Sequence, residues 1–98
     1  MMLKVKVPTA AGNAAIQAGR LPEVLKRIMD ELRPEAAYFF SEDGMRASLF
    51  VFEMDGDTSR IPVIVEPILL SMEASVELVP VMNAQELQAG LQRLAAGG

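Results

Sequence analysis

Lys4 and Lys6, one residue apart in Leu-Lys-Val-Lys-Val, together with Tyr38, Arg46, Glu66 and Glu77, are the side chains here best placed to take part in chemistry. A lysine drawn out of water has its pKa lowered and becomes a base or Schiff-base nucleophile. Tyr38, the single tyrosine, stands in the most apolar stretch of the chain, where its hydroxyl needs a partner and can donate to a ligand carbonyl or enolate. Glu66 precedes Pro67 among apolar positions and is a candidate carboxylate at a pocket rim. Each has a plainer reading, which carries more weight. The lysines pair with Glu77 across strands, Tyr38 bonds to a glutamate or to backbone, and Glu66 sits on the wet face of a helix.

Other chemistries are excluded by composition. Without cysteine there are no disulfides, thiol nucleophiles or zinc–thiolate sites, and without histidine the usual general base and commonest transition-metal ligand are missing. Asp55 and Asp57 around Gly56 are too few carboxylates for a calcium loop and read as a turn. Gly12 and Gly19 lack the Lys-Ser or Lys-Thr of a phosphate-binding loop, and no triad or carboxylate pair can be assembled from spacing. We therefore expect no cofactor and no metal. With 9 basic against 13 acidic residues, net charge −4 and no basic stripe, nucleic acid is not an expected partner. The seven methionines are too scattered to mark a binding wall.

The elements that position these groups follow from periodicity. Leu3, Val5 and Val7 alternate with the two lysines in a first strand that Pro8 ends. Asn13 is read as capping a short turn that Gly19 interrupts, and Pro22 as opening a longer helix with Leu21, Leu25, Ile28 and Leu32 on one face, stopped by Pro34. From Ala36 to Glu53 the chain alternates with both faces apolar. Ala36, Tyr38 and Phe40 oppose Ala37 and Phe39, and beyond a Ser41-Glu42-Asp43-Gly44 turn Ala47, Leu49 and Val51 oppose Phe50 and Phe52. Asp57, Thr58 or Ser59 is expected to cap a second helix that Pro67 kinks or divides after Glu66. Val76 to Met82 forms a fourth strand that Pro80 marks as an edge. Asn83 and Glu86 form a capping box for a last helix striped by Leu87, Leu91 and Leu94.

This order is the βαββαβ pattern of a ferredoxin-like α+β fold, a four-stranded antiparallel sheet with helices on one face, plus a C-terminal helix. Ninety-eight residues suit one domain spanning 1–98. At 51% hydrophobic the chain is apolar for its size, as expected if surface is hidden between subunits. The hairpin sharpens the point, because a sheet apolar on both faces needs two covers and the helices supply one. If Leu3, Val5 and Val7 face the helices, Lys4 and Lys6 face the other way, where Glu77 and Arg46 are expected to join them. Met1 to Val7 lacks the apolar run of a signal peptide, and Ile61 to Leu70 is too short and interrupted to span a membrane. A cytoplasmic protein without a membrane partner is expected, with Gly97-Gly98 as a frayed end.

Lys-Val-Pro-Thr followed by Gly12-Asn13, Pro-Glu-Ala-Ala-Tyr-Phe at 34 to 39, Glu-Asp-Gly at 42 to 44, Glu66-Pro67 and Val-Pro-Val-Met-Asn at 79 to 83 resemble small bacterial proteins of the dimeric α+β-barrel superfamily. The resemblance covers nearly the whole chain and brings no assigned activity. It implies a homodimer in which two ferredoxin-like sheets face one another. Relatives in that superfamily include cofactor-independent monooxygenases, lactone isomerases, haem enzymes and amino-acid-binding regulators; their histidines have no counterpart here. The expected function is a dimeric barrel holding a small apolar molecule, and enzymatic activity is not the favoured expectation. One alternative is a cofactor-independent isomerase or monooxygenase of a small aromatic or lactone, using Lys6, Tyr38 and Glu77. The other is a purely structural dimerisation module.

Overall fold

Alternation of lysine with apolar residues in Met2–Val7 produces a central strand, flanked on both sides by antiparallel partners. The computed structural model describes residues 1–97, and the elements run β1 (Met2–Val7), α1 (Thr9–Gln17), α2 (Arg20–Leu32), β2 (Ala36–Glu42), β3 (Met45–Val51), α3 (Arg60–Met72), β4 (Ser75–Val79) and α4 (Ala84–Ala95). The sheet order is β2-β3-β1-β4, with every neighbouring pair antiparallel. The architecture is α+β and βαββαβ-like, with the first crossover built from two helices and an additional helix after β4. Of the Gly97-Gly98 end, Gly98 lies outside the described residues.

The hairpin joins β2 to β3 through Asp43 and Gly44, both left-handed at φ 53° and 75°, the conformation that matches the right-handed twist of its strands. Register fixes the faces. Leu3 lies opposite Phe50 and Leu78, and Val5 opposite Ser48 and Val76, so these side chains share one face. Leu3, Val5 and Phe50 are almost completely buried there with Ile28 and Leu32 of α2 and Ile64, Ile68 and Met72 of α3. The helices α1 to α3 cover this face alone.

Local chemistry departs from the sequence expectation at several ends. α1 begins at Thr9 directly after Pro8, so Asn13 lies inside the helix and caps nothing. Gly19, at φ 72°, separates α1 from α2 as expected, while Pro22 occupies the third helical position rather than the first. α3 is undivided through Pro67, because Ile64, Ile68 and Met72 bury one continuous apolar face on either side of it. No side chain caps α3 at Ser59. Instead Asp57 accepts hydrogen bonds from the Ser59 amide (3.1 Å) and hydroxyl (2.5 Å) just ahead of the helix, which holds its carboxyl below the usual carboxylate range. Asp55 and Gly56 form the expected turn, both with positive φ. Arg60 ties this loop to α2, donating to the carbonyls of Glu53 (3.2 Å) and Glu31 (3.1 Å). β4 stops at Val79, before Pro80, and lies at the sheet edge. Among the described residues, no helix is long and apolar enough to cross a membrane.

Candidate functional site: an open sheet face and a groove beside its edge

Because side chains alternate, the face turned away from the helices carries Lys4, Lys6, Tyr38, Phe40, Glu42, Ala47, Leu49, Val51, Glu77 and Val79. Tyr38 is 62% exposed, and Phe40 and Val79 are each 37% exposed. Among the described residues, no helix covers them. At one end the face is ionic. Lys4 Nζ donates to Glu42 Oε1 at 2.6 Å, and Lys6 Nζ lies 3.1 Å from Asp43 and 3.9 Å from Glu42. Glu42 belongs to β2 and the lysines to β1, so both lysines reach across β3. The strand offers little obstruction there, since Ala47 faces Lys6 and is itself buried beneath the crossing side chains.

Four of the six candidate residues named from sequence therefore share this face: Lys4, Lys6, Tyr38 and Glu77. Glu77 stands directly across from Lys4, but the hydrogen-bonding partner is Glu42. That carboxylate reads as a turn residue until the two-residue turn is fixed at Asp43-Gly44, which makes Glu42 the last residue of its strand and places it on the Tyr38 face. The hydrogen bond that Lys4 donates to Glu42 holds the ammonium above its ordinary range, outweighing a partial desolvation that acts in the opposite direction. This is the reverse of the lowered pKa a lysine base requires. Lys6 is likewise committed to carboxylates, and Tyr38 presents its ring and hydroxyl outward. What the face can do is bind apolar surface over most of its area and a polar group at its charged end.

Arg46 and Glu66 lie elsewhere. Arg46 is opposite Val7, so its side chain points to the helix side rather than joining the lysines. There it donates from Nη2 to Asn13 Oδ1 at 3.0 Å, against Gly12 of α1. A Cβ at Gly12 would come within 2.7 Å of Nη1, so glycine makes the room. Glu66 is exposed on α3, behind the sheet, and takes no part in either surface.

Beside Arg46 opens a groove of about 240 Å³ between α2 and the β2 end of the sheet, walled by Leu21, Val24 and Leu25 on one side and Phe39 and Phe50 on the other. Phe39 meets Phe50 edge to face, centroids 5.9 Å apart, yet is 60% exposed because β2 is an outer strand beyond the reach of α2. Apart from Arg46 and Ser48, the groove is apolar. Among the described residues, no group of three or more acidic side chains is arranged to hold a metal. Comparison with protein-family models, with curated proteins and with solved structures finds no match to this chain.

Proposed function

We propose that the protein is a homodimer of ferredoxin-like domains whose open sheet faces pack against one another as a dimeric α+β barrel, and that the space between the sheets holds a small, largely apolar molecule. The observation that carries this reading is the open face itself. Tyr38, Phe40, Leu49, Val51 and Val79 form an apolar field on one side of a sheet whose other side already has its helices. A contiguous field of this kind is characteristic of an interaction surface. The ionic corner formed by Lys4, Lys6 and Glu42, with the Tyr38 hydroxyl, supplies the few polar groups that orient a ligand in an otherwise apolar site.

Native mass spectrometry of the full chain tests both halves of this reading. The expected spectrum is a dimer carrying extra mass that is lost on denaturation, and Tyr38→Glu is expected to give a folded monomer because two carboxylates would then be buried at the two-fold interface. A dimer at bare chain mass would reduce the function to self-association. A wild-type monomer at tens of micromolar would remove the proposal.

A further inference from the structure

One helix of this molecule has no place in it. α4 is a well-formed amphipathic helix, closed at its start by a reciprocal capping box in which Asn83 accepts from the Glu86 amide (2.8 Å) and Glu86 from the Asn83 amide (3.0 Å). Yet none of its residues is buried. Leu87, Leu91 and Leu94, spaced i, i+4, i+7, stand 47%, 54% and 73% exposed on a single stripe. The chain is drawn out accordingly, with a radius of gyration of 16.0 Å where about 13 Å is usual for this length. Its accessible surface is 6586 Å², against about 5,500 Å² for a folded monomer of the same mass. The excess, on the order of 1,000 Å² per chain, is what one subunit contributes to a stable, obligate type of dimer interface.

We infer that α4 is an exchanged arm, seated in the groove between α2 and Phe39 of a second copy, so that each subunit clamps the other. The inference rests on the face-to-face dimer proposed above and specifies how that dimer is locked. Three features lead to it. First, stripe and groove match in kind: three leucines at helix-in-groove spacing meet a trough walled by Leu21, Leu25 and Phe39. Second, the chain cannot seat its own arm so simply, because α4 issues from β4 and the groove borders β2, at opposite edges of the sheet. A two-fold axis running along the strands of two facing sheets reverses the order of one relative to the other. It thereby stacks the β4 edge of each subunit over the β2 edge of its partner. Third, the reach is right. Pro80 to Asn83 spans up to about 14 Å when extended, enough to cross the roughly 10 Å between packed sheets, and α4 adds about 18 Å beyond. One assumption thus covers the stripe on α4, the exposed ring of Phe39 and the groove, and it closes as an isologous pair.

The test is complementation between two single variants of the full chain. Leu91→Glu spoils the arm and leaves the groove; Phe39→Glu spoils the groove and leaves the arm. Each alone is expected to weaken the dimer by about 100-fold or more while keeping its far-UV circular dichroism. Mixed one to one, they form a heterodimer containing one intact arm in one intact groove, read directly by native mass spectrometry because the variants differ in mass. Should Phe39→Glu fail to fold, Leu21→Glu spoils the opposite wall of the same groove. A Leu91→Glu protein as dimeric as wild type overturns the exchanged arm and leaves the sheet-face dimer standing. Loss of the dimer in Leu91→Glu with none in the groove variants, or a mixture that stays monomeric, shows α4 binding something other than the groove and also overturns it. A monomeric wild-type protein overturns both readings together.

Discussion

At the scale of single residues, Glu42 organises the charged corner. It draws two lysines across β3, and its hydrogen bond raises the Lys4 pKa above the ordinary 10.5. A cation whose pKa is raised by folding contributes stability that is fully present below its unfolded pKa and is lost as pH climbs through the folded value. Thermal melts of wild type and Glu42→Gln are therefore expected to differ by a constant margin from neutrality to about pH 10 and to converge above it. A margin that grows with alkalinity would refute the pairing. The candidates named from sequence were legible as far as strand alternation carries, which put Lys4, Lys6 and Glu77 on one face; that Tyr38 shares it follows from the β1–β3 and β2–β3 registers. Arg46 was misplaced because its face depends on the β1–β3 register, and no local pattern encodes that register. Asn13 was misread for a similar reason: its side chain has its purpose 33 residues away, at Arg46.

Among the elements, the hairpin, the edge character of β4 and the capping box were all readable, since each is written in a handful of adjacent residues. Pro67 was the misleading signal. Its missing amide predicts a kink or a division of α3, and the division is absent, because Ile64, Ile68 and Met72 bury one face on either side of it. Phe50, which packs under both β1 and α2, is the side chain on which the sheet–helix junction depends, and Phe50→Ala is expected to cost about 3–5 kcal/mol, measured by urea unfolding at fixed protein concentration. A loss below 1 kcal/mol would show that the core closes without it. Asn83→Ala acts on a different element and differently. Removing the cap weakens α4 by about 0.5–2 kcal/mol, and because α4 buries nothing in its own subunit, faster amide exchange is expected in residues 84–95 but not in β1 or β3. Unchanged exchange in residues 84–95 would mean that the cap does not hold α4 together.

For the whole molecule, sheet order and unpartnered surface belong to one account. The open face, the groove beside Phe39 and the leucine stripe are each incomplete alone, and a second copy completes all three in the arrangement proposed. The sheet order also has a consequence for how the chain comes together. β1 is made first and lies in the middle, paired on one side with Met45–Val51 and on the other with Ser75–Val79. On a ribosome it must stay unpaired for some forty residues at roughly 5–20 residues per second, while β2 and β3 close on each other locally. A strand that ends with a partner on each side thus begins with neither. With lysine at positions 4 and 6 the waiting strand carries charge along one face, a pattern that disfavours pairing with a neighbouring chain.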